Sequence, residues 1–279
     1  IPMEFTVSFI GTGNMGGALL HAACRTIDPS RIHITDYQHE KADSQARELG
    51  CCCENSNIDA VLKGNYIFLC VKPQVMGSVL EEIALTLKDC LDRGEKKVIV
   101  SIAAGIQIAY LKEKLAACGE NLPVIRVMPN TPAAIGKGML AIAAGPEVEE
   151  EAVRDVMKIL SDAGRVERLA ENLMDQFTVV SGCSPAFVYM FIEALADGGV
   201  MTGLPRSQAM TYAAQTVLGA AAMVLETGKH PGELKDAVCS PAGSTIAGVA
   251  KLEEMGFRSA AIEAVKAGYE KNVELGKVK

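Results

Sequence analysis

The sequence predicts an α/β protein: a doubly wound parallel sheet in the N-terminal part, followed by an all-helical C-terminal domain. Three observations carry this. Short apolar runs alternate with helix-length segments up to residue 165. A glycine-rich turn joins the first apolar run to the first helical segment. Beyond residue 166 no strand-like run follows. Strands covered on both faces read as continuous apolar runs, so the first pattern means a sheet sandwiched between helices.

The elements follow in order. FTVSFI (5–10) is a strand and 14–26 a helix; RIHITD (31–36) is the second strand and 41–49 the second helix. YIFLCV (66–71) is a fully apolar third strand, followed by a helix over 76–91. KVIVSI (97–102) is the fourth strand, 108–117 another helix, PVIRVM (123–128) the fifth strand and 139–143 a sixth. A helix over 149–163 and a short edge strand over 165–168 complete the sheet domain, with right-handed crossovers. The remaining helices, 172–200, 206–227, 243–255 and 259–275, are rich in Ala, Met, Leu and Val. Pro185, Gly203-Leu204-Pro205 and Pro231-Gly232 punctuate them. The expected domains are 3–165, carrying a dinucleotide site, and 166–279, helical.

Composition limits the function. The chain has 279 residues, 49% hydrophobic and 22% charged, which suits a globular protein and excludes a disordered one. Lys plus Arg number 27 against 34 Asp plus Glu, a net charge of −7, so nucleic acid is a poor partner and a small molecule a good one. Nine cysteines, an odd number with Cys51, Cys52 and Cys53 adjacent, do not form a disulfide framework. They read as reduced thiols, and the expected location is cytoplasmic. Ile1-Pro2-Met3 reads as a tag remnant. The longest weakly charged stretch, 207–225, is broken by Gln208, Thr211, Gln215 and Thr216 and reads as a buried helix, with no membrane role.

Gly11-Thr12-Gly13-Asn14-Met15-Gly16 lies between a strand and a helix, where a dinucleotide needs it. The first glycine makes the turn, the second admits a pyrophosphate, and the third lets helix and strand pack; the helix N-terminus supplies N–H donors. This makes the sheet domain Rossmann-type, against the bland reading of a tight turn without ligand. Asp36 ends the second strand, placed either to accept from an adenosine ribose or to close a turn. Lys72-Pro73 follows the third strand at the sheet edge where such folds bind ligands, and Asn57 precedes that strand's lead-in helix. The 128–132 loop either lines the same crevice or is simply rigid. His21, His33, His39 and His230 have no metal spacing, so no metal is expected. The cysteine run reads as a variable loop at an edge. Cys239-Ser240-Pro241-Ala242-Gly243-Ser244-Thr245 opens a helix with small residues: a carboxylate-sized anion site, or only a helix start.

Pro231, Leu234, Val238, Cys239, Ser240, Ala242, Gly243, Thr245, Gly248, Val249, Leu252 and Glu253 are similar in identity and spacing to the C-terminal signature of the pyrroline-5-carboxylate reductases. The resemblance extends through Gly256-Phe257-Arg258, through 194–200 and 203–206, and to Gly11 onward, Val71-Lys72-Pro73, Ala103-Ala104-Gly105 and Asn130-Thr131-Pro132. It covers essentially the whole chain. Ser184 departs from it, standing where the family more often has Gly.

The resemblance implies reduction of L-1-pyrroline-5-carboxylate to L-proline with NADH or NADPH, the last step of proline biosynthesis. It places the cofactor across Ile10, Gly11, Thr12, Gly13, Asn14, Met15 and Gly16, with Asn57, Cys70, Val71, Lys72 and Ala103. The substrate carboxylate falls on Gly243, Ser244 and Thr245, with the Thr245 hydroxyl by the ring nitrogen as the catalytic group. Asp36 favours NADH through the ribose, with NADPH also usable. Helical domains of two subunits interleave in a homodimer, and dimers build a decamer. A short-chain 3-hydroxyacid dehydrogenase shares the glycine opening but calls for a Lys on a second-domain helix, and no Lys lies between Lys158 and Lys229. A dinucleotide sensor without catalysis has no use for the 240–245 loop.

Overall fold

The computed structural model describes residues 5–276, so the 1–3 segment lies outside it. The chain begins β1 (Val7–Ile10), α1 (Asn14–Thr26), β2 (Ile32–Thr35), α2 (His39–Leu49), β3 (Cys52–Cys53) and α3 (Asn57–Lys63). Then come β4 (Tyr66–Leu69), α4 (Pro73–Asp92), β5 (Val98–Ser101), α5 (Ile108–Lys114), β6 (Val124–Met128) and β7 (Gly138–Ala144). After α6 (Glu150–Ile159) and β8 (Gly164–Arg168), α7 (Met174–Phe177) leads through a π-helical turn, Thr178–Cys183, into α8 (Ser184–Met201). The chain ends with α9 (Arg206–Thr227), α10 (Pro231–Ala237), α11 (Ser244–Glu254) and α12 (Phe257–Gly276).

The eight strands form one sheet in the order β3-β2-β1-β4-β5-β6-β7-β8. Pairing is parallel except between β6 and β7. That exception corrects the all-parallel expectation: β7 follows β6 through a short 3-10 turn, Thr131–Ile135, too short for a crossover helix. The cysteine run also differs, because Cys52 and Cys53 pair with His33 and Ile34 as an edge strand.

Side chains alternate between two apolar layers, as period-2 geometry demands. Val7, Phe9, Tyr66 and Phe68 join one core with Leu19 and Leu20 of α1 and Val153 of α6. Ile10, Ile67 and Leu69 join the other with Val61 of α3, Leu80 and Ile83 of α4 and Leu111 of α5. Phe9 stacks on Phe68 at 4.8 Å. Tyr66 donates to Asp155, and burial together with that carboxylate pushes its phenol far up, so it stays neutral.

The chain forms two compact units. One runs to Gly182 and takes back the end of α12 from Asn272; the other is Cys183–Lys271. The division therefore falls later than residue 165. Residues beyond β8 still belong to the sheet unit: Met174 is fully buried in its core, Glu171 accepts from the Ile108 N–H at 2.8 Å, and the Ser181 carbonyl accepts from Asn130 at 2.9 Å. In the second unit the long helices α8 and α9 pack against each other, yet only Ala196, Ala209 and Ala213 of its residues are buried. Met201 is 88% exposed, and Met190, Leu218, Met223 and Leu225 are also exposed.

Candidate functional site: a dinucleotide cleft and a small-residue loop

The chain leaves β1 for β2 on one side and later returns to β4 on the other. At that switch point the C-terminal strand ends leave a crevice, the place where open α/β sheets bind ligands. The glycines of the first turn divide the steric work between them. Gly11 has φ +96°, and a Cβ there would stand 2.9 Å from the Cys70 carbonyl carbon. A Cβ on Gly16 would stand 2.5 Å from the Gly11 oxygen and 2.8 Å from the Cys70 Cβ. Gly13 meets no protein atom within 4 Å. Protein packing thus accounts for the outer two glycines, and the open side of the middle one accommodates a close ligand.

Gly13 is also the N-cap of α1, with no side-chain cap and no acidic residue in the first turn. The N–H groups of the first turn have no intrahelical acceptor, and the positive dipole end carries no compensating carboxylate. This is an arrangement for a pyrophosphate. The surrounding cleft has a volume of about 1080 Å³.

Of the residues expected at the cofactor, Ile10, Gly11, Gly13, Asn14, Met15, Gly16, Asp36, Asn57, Cys70, Val71, Lys72 and Ala103 line this cleft. Thr12 does not; it is buried behind the loop. Its N–H donates to Asp36 Oδ2 at 2.7 Å, while Asp36 Oδ1 accepts from the Gln38 N–H at 2.9 Å. Asp36 therefore both closes a turn and ties the glycine loop to the end of β2, while its negative charge stays at the cleft wall. Lys72 is the N-cap of α4 and is exposed, with no ion pair among the described residues. Burial pushes the Cys70 thiol up, so it lines the cleft as a neutral group.

Several lining residues went unread in the sequence. Tyr37, Gln38, Asn55 and Ser56 lie just past strand ends, and that position was the available signal. Glu82 lies in the interior of α4, where nothing in the sequence marks it; its carboxylate accepts from Asn57 Nδ2 at 2.8 Å. Among the described residues no group of His, Cys, Asp or Glu is placed to hold a metal ion.

The second constellation belongs to the other unit. Gly243 donates its N–H to the Ser240 carbonyl at 3.1 Å, closing a turn whose third residue, Ala242, has φ +57°. An Ala in that region is strained, the sort of backbone outlier found at ligand clamps. A Cβ on Gly243 would stand 2.4 Å from Ser240 Oγ. Gly243 caps α11 without a side-chain cap, and Ser244 and Thr245 begin the helix. All of Ser240, Ser244 and Thr245 are exposed, and the Thr245 hydroxyl makes no hydrogen bond among the described residues. Free N–H groups and two hydroxyls converge on one short stretch.

Fold and cleft together define a Rossmann-type dinucleotide-binding protein with an appended helical unit, the class that holds many nicotinamide-dependent oxidoreductases. Residues 6–105 match the family of coenzyme F420-dependent NADP oxidoreductases, and residues 171–275 match the pyrroline-5-carboxylate reductase dimerisation family. The chain is 43% identical to the pyrroline-5-carboxylate reductase of Escherichia coli K12, over 99% of this chain and 100% of that one. It is similar to the crystal structure of the Coxiella burnetii pyrroline-5-carboxylate reductase, with TM-score 0.90 and 29% identity over 98% of this chain and 99% of that one. The NADP-bound pyrroline carboxylate reductase of Plasmodium falciparum is similar at TM-score 0.84 and 30% identity, over 99% and 100% of the two chains. The chain belongs to the pyrroline-5-carboxylate reductase family.

Proposed function

We propose that the cleft at the β1–β4 switch point holds NAD(P)H and the 240–245 loop holds the substrate carboxylate, in an enzyme that reduces L-1-pyrroline-5-carboxylate to L-proline. The observation that carries the cofactor half is Gly13, where an added Cβ would meet no protein atom within 4 Å, at an uncapped helix N-terminus. When bound, the nicotinamide supplies a hydride to the imine carbon. A protonated imine is already electrophilic, so the chain's own work is to position and to complement charge. The α1 N-terminus and the Lys72 ammonium receive the pyrophosphate. The N–H groups of Ser244 and Thr245 receive the carboxylate beside the Gly243 backbone, whose own N–H closes the turn onto Ser240, and the Thr245 hydroxyl holds the ring nitrogen. That hydroxyl has little acidity of its own, so it orients first and relays a proton second.

Asp36 sets the cofactor preference in this reading. Its carboxylate is held in place by the Thr12 and Gln38 N–H groups, and it repels a 2′-phosphate while leaving ribose hydroxyls welcome. NADH should have the higher kcat/KM, with His39 and Lys41 of the same cleft moderating the difference. Asp36→Ser should move the kcat/KM ratio towards NADPH. A wild-type preference for NADPH of about tenfold or more, worth about 1.4 kcal/mol, would sink the assignment.

The helical unit pairs two chains, the dimers build a decamer, and the enzyme works in the cytoplasm. Glu171–Met201 is long and apolar enough to cross a membrane by length and composition, and little of its most apolar window is buried. A second copy of the helical unit is the cover this reading assigns, as the match to a dimerisation family supports. The direct test is NAD(P)H oxidation on adding pyrroline-5-carboxylate to purified protein. No oxidation with either cofactor would overturn the assignment.

A further inference from the structure

We propose that Glu82 is a positioning residue for the adenosine half of the cofactor: it fixes the Asn57 amide so that its carbonyl oxygen, and not its NH2 group, reads the ligand. The inference rests on the dinucleotide reading of the cleft. Asn57 starts α3 beyond the end of β3, on the β2–β3 side of the switch point, the side on which this fold places adenosine. Ala103 lines the cleft from beyond β5, on the opposite side of the switch point in strand order. Glu82 reaches the same cleft from α4, the helix packed against α3.

The chemistry of the pair leaves one orientation. An ionised carboxylate only accepts hydrogen bonds, whereas an amide has a donating and an accepting end. Asn57 Nδ2 is 2.8 Å from Glu82 Oε2, so one of its two N–H groups is engaged and the NH2 end is turned towards Glu82. Asn57 Oδ1 makes no hydrogen bond among the described residues and remains for the ligand. The Asp36 carboxylate lines the same cleft, together with His39 and Lys41, and the Asn57 oxygen adds an acceptor there for a donor on the ligand. Adenosine has two kinds to offer, the exocyclic amine and the ribose hydroxyls. Were Glu82 absent, the Asn57 amide could turn over and the selection would fade.

The test measures binding without turnover, by fluorescence titration of NADH, of its hypoxanthine analogue (amine replaced by a carbonyl oxygen) and of its 2′-deoxy analogue. Wild type should bind NADH more tightly than at least one analogue, and the analogue that suffers identifies the donor. Glu82→Ala should weaken NADH roughly 3- to 10-fold, the scale of one hydrogen bond, and bring NADH and that analogue close together. Glu82→Gln keeps an accepting oxygen and should retain most of the wild-type preference. Glu82 is exposed, so neither variant threatens folding. An equal loss for all three ligands in Glu82→Ala, or wild-type preference retained, overturns the positioning role, as does a wild type indifferent to both analogues. Failure of the wild type to bind NADH at all overturns the dinucleotide reading instead.

Discussion

Gly13 and Gly16 lie one turn apart on the same loop and helix, but their substitutions should fail for different reasons. A side chain on Gly16 must displace the Gly11 carbonyl and the Cys70 side chain. Gly16→Ala should cost roughly 1–3 kcal/mol of stability, as overpacked sites do, visible as a lower Tm. Gly13→Ser adds a Cβ that meets no protein atom within 4 Å, and Ser suits an N-cap as well as Gly does. Its stability should stay within about 0.5 kcal/mol, the range of surface changes, while the KM for NADH rises at least about tenfold. Equal loss of stability in the two variants would show that the middle glycine serves packing. Thr245 carries the other residue-scale prediction. Thr245→Val keeps the shape and removes the hydroxyl, so kcat should fall roughly ten- to a few-hundred-fold, about 1.5–3 kcal/mol for a bond to a charged partner, with a smaller rise in the imine KM. Steady-state kinetics decides it, and an unchanged kcat would leave the backbone of the loop as sufficient. The glycine turn and the small-residue loop were legible in the sequence because each needs particular residue types at fixed spacing. Glu82 was not, because an acidic residue in a helix interior looks the same whether it faces solvent or a ligand.

At the scale of elements, α3 shows how a short helix is held. Its C-terminal carbonyls, at Val61, Leu62 and Gly64, accept from Lys97 Nζ at 2.7, 3.2 and 2.9 Å, and Ser8 Oγ donates to the Ala60 carbonyl at 2.6 Å. Lys97 is only 2% exposed, one residue before β5. Lys97→Met should leave those carbonyls unpaired and cost about 2–4 kcal/mol in urea unfolding. A cost below about 1 kcal/mol would show that water replaces the ammonium. Strands β1, β4, β5 and β6 were legible as apolar runs, since burial on both faces leaves few polar positions, Ser8, Ser101 and Arg126, to blur them. β3 was not, because two residues of pairing leave no periodicity and Cys52 and Cys53 carry no strand signature. The single helix expected over 172–200 is instead α7, a π-helical turn and α8. Uniform apolar composition hides such a change of winding.

The whole molecule is uneven in how it buries its chain. The sheet unit has two extensive cores, and the helical unit buries three alanines. A unit with so little interior and so many exposed Met, Leu, Val and Tyr side chains is completed by a second copy. Light scattering at micromolar concentration should give a mass of two chains or a multiple of two, and a monomer would oppose the dimer. Composition, the strand–helix alternation and the glycine turn determined the class of fold, its order of elements and the cleft's place at a sheet edge, because these depend on residue type and short spacing. Sequence motifs also placed the chain in its family. Only the tertiary structure decided that β7 runs antiparallel, that the first unit extends to Gly182, that Thr12 is buried while Asp36 clamps the loop, and that Glu82 meets Asn57. Each of these depends on which groups distant in sequence come within a few ångströms, and local patterns of polarity do not encode that.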